Sequence, residues 1–447
     1  MFKSLIILLF IVAQSQSLAL DCSQSLPHSS ILGRSLSPLW AQEYIGADLV
    51  LEELKNHDRD KVKTAVFDLG FESDYINLNS EIDVPFQVNG RRRMRAHHGT
   101  SVVNILNGPF GITTEMDLIS LGRINFKFLY KHYWNGYIEN DEYPRVISNS
   151  LGWGDDQSVS EVASSAHDKG TLWLLAAGND YPKEVSKIER ESKALLVGNF
   201  SPSGLTSMDS QIHESLLVLA PGNEELLTIN GSGDMSMFGG SSGATPLVSG
   251  TIINLLSVFP ELNRDNIFQL IRKTSFSSAE NKLGNTNSPG LLNSYKALHV
   301  ALLIKDLCPE RSRSCISKEI SNNANYINLS DSVIKCETIK ELSCGEQNVT
   351  LKLMRRNALL GSSDQLSHLA CAYRSVGLEK NAEYFEFISS DSIDLDNLES
   401  LAKKGIDEDL FYLSYYRYGK YFSNSYKEYI TKHPNLNSYR KEELLSL

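Results

Sequence analysis

Gly239-Gly240-Ser241-Ser242-Gly243-Ala244-Thr245-Pro246 begins the stretch that decides the fold. Counting from Ala244, apolar positions recur at Leu247, Val248, Thr251, Ile252, Leu255, Leu256 and Phe259, offsets of 3, 4, 7, 8, 11, 12 and 15. That is the period of a long helix with one buried face. Pro246 fits because it falls in the first turn, where its missing N–H costs little. A glycine-rich helix start can cradle a phosphate. The Gly-Lys-Ser/Thr ending of a phosphate loop is missing here, which argues against a nucleotide. Upstream, residues 64–67, 145–148, 172–177, 194–197 and 216–219 read as short buried strands. Between two of them, Val159, Val162, Ala163 and Ala166 share a helix face that stops at Lys169-Gly170. Strands alternating with helices predict an α/β fold, a doubly wound and mostly parallel sheet with helices on both faces. Ligands of such sheets bind beyond the carboxyl ends of the strands.

Polar residues gather at those ends. The first strand runs into Asp68-Leu69-Gly70, another into Asn149-Ser150-Leu151-Gly152, a third into Ala176-Ala177-Gly178-Asn179. His97-His98-Gly99-Thr100 opens an apolar helical stretch through Val102, Val103 and Leu106. Taken singly, an Asp after a strand is a turn or cap residue, and a His at a helix start is a cap.

Together these segments resemble the subtilisin-like serine protease family. The family's aspartate motif, an apolar strand ending in Asp-Thr/Ser-Gly, matches Ala65-Val66-Phe67-Asp68-Leu69-Gly70. Its histidine motif matches His98-Gly99-Thr100-Ser101-Val102, and its serine motif, Gly-Thr-Ser-Met-Ala-x-Pro, matches Gly240 to Pro246. The order Asp, His, Ser is the family's, with spacings of 30 and 144 residues. An esterase of the α/β-hydrolase type would need the order Ser, Asp, His. Weaker matches at Trp40, Ile45-Gly46-Ala47, Leu219-Ala220-Pro221-Gly222, Phe259-Pro260, Asn266-Ile267 and Gly290-Leu291-Leu292-Asn293 extend the resemblance over about residues 38–303.

The resemblance implies a protein or peptide substrate and a role for each residue. Ser242 is the expected nucleophile, His98 its general base, and Asp68 the group that orients and stabilises the imidazolium. Asn179 matches the oxyanion asparagine. Ser150, Leu151, Gly152 and Asp155 match the substrate-binding strand and turn. Asp155, with Glu189 and Glu191 further on, would favour a basic substrate side chain. The competing reading is an apolar pocket with Asp155 and Asp156 on a solvated loop. Arginines in residues 91–95 would push the His98 pKa down. Departures from the motifs are Leu69 for a hydroxyl residue, Ser101 for a non-catalytic histidine, Gly243 for Met and Leu247 for His. None removes a catalytic group. The mechanism requires no cofactor and the sequence offers no metal ligand set. Family members often bind structural calcium, but no Asp-rich calcium loop is present.

The chain's 447 residues allow two or three domains. Its 41% apolar and 22% charged content suits a folded protein. A net charge of −11 does not attract nucleic acid or an anionic membrane surface. Lys3, the apolar run 5–13 and Ser17-Leu18-Ala19 read as a signal peptide over 1–19, too short to be a stable membrane anchor. A secreted or periplasmic location follows. Residues 20–37 are a short N-terminal segment, too short for a separately folded inhibitory domain. Residues 38–303 read as the catalytic domain and 304–447 as a mainly helical, Cys-containing accessory region. There Leu366, Leu369, Ala370 and Tyr373 share a face and Gly377 stops the helix; Leu398, Leu401 and Ala402 begin another. Eight of the 19 Tyr fall in residues 412–439, read as a helical hairpin core rather than a recognition surface. Of the six Cys, Cys336 and Cys344 are expected to form a local bridge. No Cys-x-x-Cys pair supports zinc. The oligomeric state is left open. The alternative to a protease is a catalytically weak fold of the same type, binding through its C-terminal region.

Overall fold

The computed structural model describes residue 37 and residues 39–76, 93–123, 128–154, 156–181, 183–207, 209–223, 226–323, 335–361, 363–393 and 431. Two short helices, α1 (Trp40–Ile45) and α2 (Ala47–Glu53), lead into β1 (Val62–Asp68). There follow α3 (Arg93–Asn107), β2 (Met116–Arg123), α4 (Phe128–Asn140), β3 (Val146–Asn149), α5 (Gln157–Asp168), β4 (Leu172–Ala176), α6 (Lys187–Glu191), β5 (Leu195–Phe200) and β6 (Leu216–Pro221). These six strands form one sheet in the order β2-β1-β3-β4-β5-β6, every neighbouring pair parallel. A hairpin of β7 (Leu226–Ile229) and β8 (Met235–Phe238) then delivers the chain to α7 (Gly240–Val258).

This order places the switch point of the sheet between β1 and β3. From β1 the chain moves outward through α3 to β2; from β3 it moves the other way through α5 to β4. Parallel crossovers are right-handed, so the two helices lie on opposite faces. Strands covered on both faces are buried at every position, as β3, β4, β5 and β6 are, with the polar Ser148, Asn149 and Asn199 buried among the apolar residues. The helix α7 packs across β1, β3, β4, β5 and β6 and against α3. Every residue of α7 is buried except Ser242. The five strands read from the sequence are present. The edge strand β2 and the hairpin were not read.

Beyond the sheet come α8 (Arg264–Thr274), α9 (Ala279–Lys282), α10 (Ser294–Leu307) and α11 (Arg313–Asn323). Then α12 (Cys344–Leu360), α13 (Ser363–Ser375) and α14 (Glu379–Ser389) form the C-terminal helices. Leu366, Leu369, Ala370 and Tyr373 face the core as expected, and Gly377, at φ +80°, ends the helical run after α13. These helices close over α1. Glu43 accepts hydrogen bonds from the Ser37 hydroxyl (2.8 Å), the Asn381 amide (3.2 Å) and the Tyr373 hydroxyl (3.3 Å). Arg355 pairs with Asp48, and the Asn293 amide donates to the Leu359 carbonyl at 2.9 Å. All of this belongs to one compact unit, which runs to Asp391. Of the second unit, Ser392–Leu447, residues 392, 393 and 431 are described. The proposed signal segment, Leu398, Leu401, Ala402 and the tyrosine cluster lie outside the described residues.

The expected Cys336–Cys344 bridge is overturned. Cys336 bonds Cys371, with Cα atoms 5.7 Å apart, and Cys308 bonds Cys315. The reason is tertiary: α13 packs on the short helical turn Cys336–Glu341 and brings Cys371 to it. For Cys336, nearness in sequence was the wrong guide. Among the described residues, no helix is long and apolar enough to cross a membrane.

Candidate active site

Strand register builds the site first. Phe67 pairs with Asn149 across β1 and β3, so Asp68 and Ser150 come one step beyond, at the switch point. Asp68 is fully buried. Its Oδ1 accepts from the Leu69 backbone N–H (2.6 Å) and lies 2.7 Å from Nδ1 of His98. With Leu69 in place of a hydroxyl residue, the buried Oδ2 has no donor among the described residues. His98 is held by close contact of α3 with the turn after β1. A Cβ on Gly99 would lie 2.1 Å from the Gly70 carbonyl oxygen, so only glycine allows this approach. Thr100 adds a second tie, accepting from the Glu72 N–H at 2.9 Å. The Phe238 ring stands edge-on to the imidazole, with centroids 5.1 Å apart.

The electrostatics follow from this geometry. Burial alone would lower the His98 pKa. The Asp68 carboxylate, through its charge and its hydrogen bond, outweighs burial and raises it above the ordinary 6.5. The expected downward shift from the arginines of residues 91–95 is therefore reversed. Asp68 is 30 residues away in sequence but at hydrogen-bond distance in space.

Ser242 reaches the same edge from the other side. It is half-buried at the start of α7, the positive end of the helix dipole. Its Oγ donates to the Ser150 carbonyl at 3.0 Å, and the Ser150 Oγ donates back to the Ser242 carbonyl at 2.9 Å. Its neighbour Ser241 is buried and structural, accepting from the Gly178 N–H at 3.1 Å. Asn179, exposed at the end of β4, accepts from the Ser241 N–H through Oδ1 at 2.8 Å. Gly240 adopts φ +66°, and a Cβ there would come within 2.6 Å of the Asn179 Nδ2. That glycine lets the asparagine amide lie against the helix start.

The residues expected to form the substrate turn are distributed unevenly. Ser150 is buried, Leu151 half-buried and Gly152 exposed. Asp155 lies outside the described residues. Asp156 caps α5, accepting from the Ser158 N–H at 3.0 Å. Glu191 is exposed and 3.7 Å from Lys187. Glu189 is buried and occupied by backbone N–H groups, a role the sequence reading missed. Half of its setting was readable, because Ser186 and Glu189 have the spacing of a capping box, and both of its bonds are present.

The Subtilase family model matches residues 59–296, more than half the chain. The chain is 28% identical over 171 residues to an alkaline proteinase of Hapsidospora chrysogena, covering 35% of this chain and 42% of that protein. It is 27% identical over 218 residues to an intracellular serine protease of Paenibacillus polymyxa, covering 43% and 65%. The chain thus spans about half the length of the curated relatives it matches. Among solved structures, a cold adapted subtilisin-like serine proteinase aligns with a TM-score of 0.45 at 21% identity, over 54% of this chain and 90% of that one. By its family match over the whole sheet and the helix α7, the chain belongs to the subtilase family.

Proposed function

We propose that this subtilase is a secreted serine endopeptidase, with Ser242 as nucleophile, His98 as general base and Asp68 as the orienting carboxylate. The observation that carries the reading is the 2.7 Å bond between the fully buried Asp68 and His98 Nδ1. It fixes Nδ1 as the protonated nitrogen, which leaves Nε2 to accept a proton. The Ser242 hydroxyl, bonded here to the Ser150 carbonyl, turns about its Cα–Cβ bond to reach Nε2. As Oγ bonds to the substrate carbonyl carbon, its proton passes to His98. The carbonyl oxygen becomes an oxyanion, facing the start of α7 and the Asn179 Nδ2. His98 then gives the proton to the amine as the C–N bond breaks. Water repeats the sequence on the acyl-enzyme and frees Ser242. Neither a metal nor a cofactor enters any step.

Covalent labelling by a fluorophosphonate tests the reading. Labelling of Ser242 in the purified protein is the expected result. The Ser242–Ser150 hydrogen bond is the feature that would favour a catalytically weak binding protein, if it held the hydroxyl away from His98. Absence of labelling would decide for that reading.

The pH dependence has a definite sign. His98 must be neutral to act as a base, and its pKa is raised. The ascending limb of kcat/KM should therefore have its midpoint above 6.5, giving an alkaline working range. Asp68→Asn removes the cause and should move the limb toward acid while lowering kcat by about 10⁴-fold. A wild-type midpoint below 6.5 would refute the assignment. The same shift acts on stability in the opposite sense. The contribution of the Asp68–His98 pair is complete below the unfolded-state histidine value and is lost as pH rises through the folded one.

A further inference from the structure

We propose that Glu189 is a positioning residue for the substrate turn, residues 152–154, and not a counter-ion for a basic substrate side chain. This rests on the proteolytic reading. Glu189 is 5% exposed. Its Oε1 accepts from two successive backbone N–H groups, Trp153 at 2.5 Å and Gly154 at 3.1 Å. Its Oε2 accepts from the Ser186 N–H at 3.3 Å. The Ser186 hydroxyl completes the clasp, donating to the Gly154 carbonyl at 2.8 Å and accepting from the Glu189 N–H at 3.2 Å. The clasp ties the turn after β3 to the start of α6, 32–36 residues further along the chain.

The turn is held from its other side by the Trp153 indole. That ring is 1% exposed and stands at right angles to Trp173, with centroids 5.5 Å apart. Tyr130 meets it edge-on at 6.2 Å. Side chain and backbone of one residue are thus fixed by separate partners. A turn without a regular ladder would otherwise be free to move, and a reacting carbonyl displaced by about 1 Å can lose about 10²-fold in rate. A carboxylate suits this position because it offers acceptors to three N–H donors at once, which an amide does not. With its charge bonded to the turn's own backbone, Glu189 has little left to attract an ammonium or guanidinium group.

The test is a comparison of peptide cleavage with fluorophosphonate inactivation in Glu189→Ala, Glu189→Gln and Ser186→Ala. Glu189→Ala is expected to lower kcat/KM for peptides spanning several residues by about 10–100-fold, with kcat falling as well as KM rising. Peptides with Arg and with Leu before the scissile bond should lose equally. Glu189→Gln keeps one acceptor oxygen and should lose less. Ser186→Ala should move in the same direction as Glu189→Ala by a smaller factor. Fluorophosphonate inactivation, which needs the nucleophile but not the turn, should change less than about twofold. A loss confined to Arg peptides in Glu189→Gln would overturn the proposal in favour of a counter-ion. Equal losses in cleavage and inactivation, or no loss in any variant, would also overturn it. If Glu189→Ala does not fold, the Gln and Ser186 variants still decide. Wild-type protein that does not label at all would instead sink the proteolytic reading itself.

Discussion

Ser242→Ala should lower kcat for peptide hydrolysis by about 10⁶-fold, the scale known for subtilisin's own nucleophile, with the folded structure intact. The helix that carries it explains why. Every other residue of α7 is buried, so a single hydroxyl of that helix reaches solvent, at the positive end of the helix dipole. Removing it breaks one hydrogen bond, to the Ser150 carbonyl, at a half-buried position. The stability cost is therefore about 1 kcal/mol. Ser241→Ala makes the contrast. Its hydroxyl is buried and accepts the Gly178 N–H, so its loss should perturb the Asn179 turn and stability before chemistry. A variant pair in which Ser241→Ala abolishes labelling and Ser242→Ala retains it would place the nucleophile at the wrong residue. A melting temperature for Ser242→Ala within about 4 °C of wild type is the control that separates lost chemistry from lost fold.

What the sequence made legible follows burial. The strands β3 to β6 are covered on both faces, so β4 and β6 appear as unbroken apolar runs and β3 and β5 open on apolar residues before Ser148-Asn149 and Gly198-Asn199. At the sheet edge, β2 interleaves Asp117, Ser120 and Gly122 with its apolar residues, which hides it from the same test. Gly122 is there because Phe67 occupies the space a side chain would need, with a Cβ 2.4 Å from that ring. The Asp68, His98, Ser242 and Asn179 segments were legible because each sits in a short local motif. The features that escaped are those set by packing between distant segments. Glu189 meets Trp153 across 36 residues, Cys371 meets Cys336 across 35, and Asp68 meets His98 across 30 and raises its pKa.

The same distinction governs the C-terminal helices, and Tyr384→Ala should destabilise the protein by about 3–5 kcal/mol. Tyr384 on α14 is fully buried, far from the sheet in sequence but against it in space. Its ring stacks on Tyr44 of α1 with centroids 3.9 Å apart and planes 5° from parallel. On its other side it stacks on Phe200, the last residue of β5, at 5.8 Å. The Tyr44 hydroxyl donates to the Lys380 carbonyl at 2.8 Å, which ties α1 to the start of α14 a second time. Burial pushes both phenols well above their ordinary pKa, so the stack stays uncharged through the alkaline range expected for activity. Truncation to Ala would open a cavity between α1 and β5. The adjoining strand β4 leads directly to Asn179, so the loss should reach the active site as a lower population of folded enzyme. Tyr384→Phe separates packing from hydrogen bonding: it keeps both stacks and removes only the long contact from the hydroxyl to the Tyr44 carbonyl, 3.5 Å. That variant should cost about 1 kcal/mol or less. Urea unfolding at constant m is the measurement, with activity followed on the same samples. If Tyr384→Ala shifts the midpoint no more than Tyr384→Phe, α14 is an appendage that detaches without disturbing the sheet. A full loss, with activity and fold disappearing in one transition, would make the helices up to Asp391 a working part of the catalytic body.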